Sequence, residues 1–289
     1  MDKNFFSKKT IIITGSNQGL GLEIAKFFAL KNSNLILCAR NKKKFFRSKK
    51  HFSKYKKNIL FEKLDISKKN QVDKFFKKIF KKFKKVDILI NNAGIYGPKG
   101  KSEKLSWAEW KKTIEINLLG SIYFINKIIP HFKKNRYGKI IQISGGGAAS
   151  TFPFFSPYSV SKIGIVRFIE NLSVELKDYK IFVNSIAPGP INTRMLEEVL
   201  KAGPHVVGKS FFEKSKKQKN DGGTSIKKII ELVEFLAHKK SDHISGKLIS
   251  ALWDNWKIFH KKKKVLKHSD IGTLRRITGK DRKIKFFDK

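Results

Sequence analysis

Short apolar runs alternate along this chain with longer segments whose apolar residues recur every three or four positions. The runs are brief and β-branched, which predicts strands buried on both faces; the periodic segments predict the helices that cover them. Thr10 to Thr14 is the first run, and Leu22, Ala25, Phe28 and Ala29 mark the inner side of the helix after it. Further strands are predicted over 34–39, 59–64, 86–90, 138–143, 180–186 and 247–250. Between them, 41–57 reads as a basic helix or helix-loop, and a helix over 68–83 turns Val72, Phe75, Phe76, Ile79 and Phe83 inward. Ser106 and Glu109 form a capping box at the start of another helix. Helices over 156–177 and 225–238 complete the pattern. Such alternation predicts a doubly wound α/β fold of the Rossmann type, a mostly parallel seven-stranded sheet with helices on both faces. One domain is expected over 1–250, with a mobile lid of short helices at about 191–224, where Gly203, Pro204, Gly208, Gly222 and Gly223 interrupt the chain. Residues 251–289 extend beyond it without an assigned role.

The formal net charge of +41 changes the picture less than its size suggests. Lysines number 56 and arginines eight, and the lysines are spread along the whole chain. Lys, Phe, Ile and Asn all have A/T-rich codons, so drift of base composition accounts for the excess. A nucleic-acid reader would favour arginine for bidentate contacts. No specific nucleic-acid partner is expected, although the field attracts anionic substrates and phosphorylated cofactors. The single cysteine, Cys38, excludes a disulfide within the chain and suits a reducing compartment. Residues 1–10 lack the apolar stretch of a secretory signal, and no run approaches a membrane span. A cytoplasmic protein without a membrane span is expected, and no metal site.

Candidate chemistry gathers at the C-terminal ends of the predicted strands. Strand one runs into Gly15-Ser16-Asn17-Gln18-Gly19-Leu20-Gly21 and then a helix. Glycines there permit a tight turn and close backbone approach, and the helix N-terminus offers free N–H groups to a pyrophosphate. Strand two ends in Ala39 and Arg40 where an NAD-binding chain carries an acid for the adenosine ribose. The missing carboxylate beside a guanidinium suits a 2′-phosphate, so NADP(H) is preferred, with NAD(H) possible. Strand four ends in Asn91-Asn92-Ala93-Gly94, the following helix carries Asn117, and strand five delivers Ser144 beside a glycine triplet, Gly145 to Gly147. Tyr158 and Lys162, four residues apart on a helix, share one face. A phenol titrates near pH 10, and an adjacent ammonium lowers that value toward the range of general acid–base work.

Taken together these residues resemble the classical short-chain dehydrogenase/reductase family over roughly 8–250. The resemblance rests on Thr14-Gly15-x-x-x-Gly19-x-Gly21, Asp65, Asn91 to Gly94, Asn117, Ser144, Tyr158-x-x-x-Lys162 and Pro188-Gly189, with the serine fourteen positions before the tyrosine. It implies that Tyr158 exchanges a proton with a carbonyl or alcohol oxygen, and that Ser144 holds that oxygen. Lys162 would lower the phenol pKa and bond the nicotinamide ribose, and Asn117 would bond a water that relays protons. Gly15, Ser16, Asn17, Gly19 and Leu20 would wrap the pyrophosphate and adenosine. Asp65 and Ile66 would lie by the adenine, Asn91, Ala93 and Gly94 by the ribose, and Ile191 and Thr193 at the carboxamide. The implied function is an NADP(H)-dependent oxidoreductase of a carbonyl/secondary alcohol pair. A homodimer or homotetramer is implied, through the Tyr158 helix and its predecessor. The alternative is a non-catalytic binding protein that uses the scaffold for a polyanion. Two departures from the family stand out. Leu248 to Trp256 stands where the family often has a Val-Asp-Gly-Gly-like segment; Trp253 and Trp256 are expected to bury against the sheet end or a second subunit, with the extension shaping the substrate pocket. The glycine triplet after Ser144 is expected to widen that pocket.

Overall fold

In the computed structural model, which describes residues 4–284, the apolar runs become one sheet. Its strands are β1 (Thr10–Thr14), β2 (Asn34–Ala39), β3 (Ile59–Lys63), β4 (Ile88–Asn91), β5 (Gly138–Ile143), β6 (Ile181–Ala187) and β7 (Leu248–Ser250). Their order is β3-β2-β1-β4-β5-β6-β7, and every pairing is parallel. A parallel sheet needs cover on both faces, and β1, β4 and β5 are buried at every residue.

One face packs on α1 (Gly19–Leu30) and α10 (Ile226–Ala237), through Ile24, Phe28, Ile229 and Leu232. The other packs on α3 (Lys69–Lys82), α5 (Gly120–Lys134) and α6 (Ser156–Glu175), through Phe76, Phe124, Ile128 and Ile169. Residues 42–58 form α2 (Lys42–Lys49) and a 3₁₀ stretch. A shorter helix, α4 (Trp107–Ile114), begins at Ser106, whose hydroxyl accepts from the Glu109 N–H. Asn117 lies in neither regular helix: α4 joins α5 through a π-helical segment, Glu115–Leu119. Such bulges recur where a helix must turn a functional side chain out of register.

The chain leaves and rejoins the sheet through α7 (Arg194–Ala202), α8 (Pro204–Val207) and α9 (Lys209–Asp221). An isolated antiparallel bridge between Ile191 and Gly223 draws the two ends of this excursion together. After β7 the extension folds back over the sheet edge. The Leu248 N–H donates to the Gly272 carbonyl (2.7 Å), Lys247 Nζ to Ser269 (2.7 Å), and the Leu274 N–H to Glu170 Oε1 (2.6 Å). The two tryptophans part company. Trp256 is buried against Phe235, while Trp253 is 81% exposed and does not bury against the sheet end of its own chain. A turn held by Ser250 Oγ, which accepts from the Trp253 N–H (3.0 Å), projects the latter outward.

Candidate active site

Strand order reverses direction between β1 and β4, the place where the C-terminal edges of a doubly wound sheet leave a crevice. A cleft of about 1280 Å³ occupies it, running from the glycine turn to the helices over 194–221.

At the glycine turn the backbone packs too closely for side chains. A Cβ on Gly15, whose φ is +65°, would lie 2.9 Å from Ala93 Cα, and one on Gly21 would lie 2.5 Å from the Gly15 carbonyl oxygen. The Thr14 hydroxyl locks β1 to β4: it donates to Asn91 Oδ1 (3.0 Å) and accepts from the N–H groups of Asn92 and Ala93 (2.9 Å each). Gly15, Asn17, Gly19, Leu20 and Gly21 line the cleft, but Ser16 does not; its hydroxyl turns away to the Cys38 carbonyl. Asn91 also lies beneath the wall. It is fully buried, donating to Gln142 Oε1 (2.9 Å) and the Ser121 carbonyl (3.3 Å), so its side chain braces the sheet where a ribose contact was expected. Arg40, Asp65 and Ile66 line the cleft from the ends of β2 and β3, Ala93 and Gly94 from β4. Pro188, Gly189, Ile191 and Thr193 line it from the loop after β6.

Two features at the β2 end bear on cofactor fit. No acid stands there: Ala39 is buried and Arg40 stands half open to solvent, 3.9 Å from Asp65. Lys44, which the sequence pattern did not single out, also lines the cleft and donates to Gln18 Oε1 (2.7 Å). Asn41 caps α2 by accepting from the Lys44 N–H (2.9 Å), which sets that lysine in the first helical turn beside the glycine loop. The glycine turn and the two cations near it fit a phosphate-bearing dinucleotide.

Asn117, Ser144, Tyr158 and Lys162 come together although they span three separate elements. Ser144 is buried and its hydroxyl has no hydrogen-bond partner. Tyr158 is buried too, with its hydroxyl against Gly145; a Cβ on that glycine would run into it. Gly147 is likewise filled by the Ser159 side chain, and only Gly146 faces open space. The triplet therefore serves close approach of the Tyr158 helix more than a wider pocket.

Lys162 Nζ lies 5.5 Å from the centre of the Tyr158 ring and donates to the Ile143 carbonyl (3.0 Å). Burial lowers its pKa to about 8. Burial also raises the Tyr158 phenol, with Tyr96 adding to the effect, opposite to the direction expected from Lys162. Asn117 donates both amide hydrogens, to the Ile95 carbonyl (2.8 Å) and Ser161 Oγ (3.1 Å), while Oδ1 accepts from the Ile95 N–H (2.9 Å). One Oδ1 lone pair is left for a relaying water. The side chain chiefly clamps the segment after β4 that carries Gly94 past Lys162.

Sequence reasoning missed Tyr96 and Ser161. The Tyr96 ring meets Tyr158 edge-on at 4.8 Å, and burial with nearby Glu198 pushes its own phenol up to about 12. Ser161 donates to the Tyr158 carbonyl (2.6 Å) and receives Asn117. An aromatic residue two positions past Gly94, and a serine beside Lys162, were the available signals.

A family model described as short chain dehydrogenase matches residues 9–203. A 3-oxoacyl-[acyl-carrier-protein] reductase of Buchnera aphidicola is 32% identical over 244 residues, covering 84% of this chain and 95% of the relative. A diacetyl reductase [(S)-acetoin forming] of Staphylococcus epidermidis is 30% identical over 247 residues, covering 83% and 96%. Among solved structures, ElxO with NADP bound superposes with a TM-score of 0.74 at 29% identity, covering 84% of this chain and 97% of that one.

Proposed function

The chain belongs to the short-chain dehydrogenase family and is an oxidoreductase of the alcohol–carbonyl couple using a nicotinamide dinucleotide; on that premise we propose that it prefers NADP(H) and that Tyr158 is its proton donor. The observation that carries the proposal is the Ser144 hydroxyl, buried without a partner next to the glycine that holds the Tyr158 hydroxyl. A buried hydroxyl left unpaired is unfavourable by about 1–3 kcal/mol. A substrate oxygen placed between Ser144 and Tyr158 satisfies it.

The reduced nicotinamide supplies the hydride when bound. Ser144 donates a hydrogen bond to the carbonyl oxygen and stabilises the negative charge that grows there. Tyr158 gives that oxygen its proton. A phenol raised by burial stays protonated at neutral pH, the form in which reduction begins. Lys162, still mostly charged at pH 7, favours the phenolate once the proton has left. Asn117 and Ser161 position the other groups, holding Ile95 and the first turn of α6 in register. At the other end of the cleft, Arg40 and Lys44 favour the 2′-phosphate of NADP(H), with no carboxylate at the end of β2 to bind the bare ribose.

A second copy is proposed to dock on α6 and the segment before α5, where Leu119, Val160 and Ile163 are exposed. The substitution Tyr158→Phe tests the catalytic reading. Turnover is expected to fall by roughly 10²–10⁴-fold, with NADPH still bound as judged by its fluorescence. Undiminished turnover would overturn the assignment.

A further inference from the structure

We propose that the substrate is a ketone whose larger substituent is a bulky alkyl or aryl group, with no hydroxyls beyond the reacting oxygen. This inference rests on the catalytic reading above. Its carrier is the apolar wall on the substrate side of the cleft.

The wall nearest Tyr158 is apolar: Phe152, Met195, Leu196, Val199 and Phe211 line the cleft with Tyr96. All of these but Leu196 belong to one packed cluster, in which Phe211 meets Phe152 edge-on at 5.0 Å and Phe152 stacks on Phe155 at 4.3 Å. Most polar side chains on the same side already have a protein partner. Ser215 Oγ donates to the Phe211 carbonyl (2.8 Å), and Gln218 Nε2 donates to Asn192 Oδ1 (3.2 Å). Asn192 Nδ2 donates to the Lys219 carbonyl (3.2 Å), Thr193 Oγ1 accepts from the Met195 N–H (3.3 Å), and Arg194 pairs with Glu198 (3.1 Å). Ser150 stands in solvent. Ser144 keeps a buried hydroxyl without a partner, and with Tyr158 it is directed at a single oxygen.

A polyhydroxylated substrate would therefore bury hydroxyls against phenyl rings and methyl groups. Each hydroxyl buried without a partner weakens binding by about tenfold or more. An alkyl or aryl group loses nothing there and gains contact with five apolar side chains. Trp253, 81% exposed on its pinned turn, lines the same cleft and adds an apolar face at the rim.

The test compares an alkyl aryl ketone with a ketose of equal heavy-atom number, each assayed with NADPH. The apolar ketone is expected to show at least about 100-fold higher kcat/KM. Binding of both ketones to the Tyr158→Phe protein loaded with NADP, followed by calorimetry, gives a readout independent of turnover; the apolar ketone is expected to bind at least about tenfold tighter. Equal or tighter binding of the ketose, or binding of neither, overturns the proposal. If Tyr158→Phe keeps its turnover while the apolar ketone still binds preferentially, the catalytic reading falls and this proposal stands. Replacement of Phe211 by Gln is expected to raise KM for the apolar ketone about tenfold while leaving kcat near its original value. An unchanged KM removes that wall from the proposed site.

Discussion

The Tyr158 hydroxyl occupies the space that a side chain on Gly145 would fill. These residues sit on different elements, one just after β5 and the other in the first turn of α6, and the missing Cβ lets the phenol reach the level of Ser144. Gly145→Ala is therefore expected to push the hydroxyl away from the serine. A displacement of about 1 Å at reacting groups can lower turnover roughly 10²-fold. The measurement is kcat beside the melting temperature and NADPH affinity; a full kcat in a folded variant would contradict the placement.

Lys162 links activity to pH with a definite sign. Burial lowers its pKa from 10.5 to about 8. Below pH 8 the ammonium is charged and able to favour the phenolate, so reduction is expected to decline as pH rises through about 8. Stability runs the other way. Between pH 8 and 10.5 the unfolded chain binds more protons at this position than the folded chain, so its destabilising contribution is full below pH 8 and fades as pH rises toward 10.5. A shift of this size corresponds to about 3 kcal/mol at neutral pH. Lys162→Met is expected to melt at a higher temperature than the parent at pH 7 while losing activity. Lys139, whose pKa is also lowered to about 8, contributes in the same direction, and the comparison of parent with variant isolates Lys162. A lower melting temperature in the variant would contradict the sign.

Cofactor preference is expected to depend on two cations. Arg40→Ala and Lys44→Ala should each raise the KM for NADPH several-fold and leave that for NADH nearly unchanged, and the double variant should bring the two cofactors close together. Exposed ion pairs contribute about 0–1 kcal/mol each, which sets the modest size of either single effect. Steady-state kinetics with both cofactors decides it. A constant NADPH-to-NADH ratio would argue for recognition elsewhere.

Removing the extension is expected to destabilise the fold. Cutting after Ser250 uncovers the site of buried Trp256 on Phe235 and strips β7 of its bond from Leu248 to Gly272. Loss of a buried tryptophan alone is unfavourable by about 3–5 kcal/mol, enough to be seen in urea denaturation. Trp253→Ala, which changes an exposed residue, should leave stability within about 0.5 kcal/mol.

Assembly is expected to respond to one side chain on α6. Val160 and Ile163 lie one turn apart on that helix, each 46% exposed. Ile163→Lys would place a charge in the proposed contact between copies, and light scattering should then report a smaller particle than the parent. An unchanged mass would place the contact on another face.

Much of the fold and the site was legible because its signals are local. A β-branched run ending in Gly15-x-x-x-Gly19-x-Gly21 encodes its own strand, turn and helix, and Tyr158 and Lys162 lie four residues apart, on one side of any helix that contains them. Ser144 announced itself as a hydroxyl at a strand end. Other features were illegible because distant residues decide them. Nothing in Asn91 and Asn92 tells which amide lies at the cleft; the Thr14 hydroxyl, 77 residues from Asn91, takes the Asn91 oxygen, while the Thr14 and Gly15 carbonyls hold the Asn92 amide at the cleft wall. Likewise the sequence placed Trp253 and Trp256 together, and only the return of the extension along β7 separates an exposed ring from a buried one.

The sequence by itself determined the succession of strands and helices, the glycine turn and the four side chains of the proposed catalytic set. Tertiary structure decided their electrostatic state. Tyr158 and Lys162 read in isolation as a phenol lowered by its ammonium, yet packing removes both from water and moves each toward its neutral form. Desolvation depends on everything that surrounds a group, and Tyr96, the glycine triplet and the helices over 194–221 reach this pair only when the chain has folded.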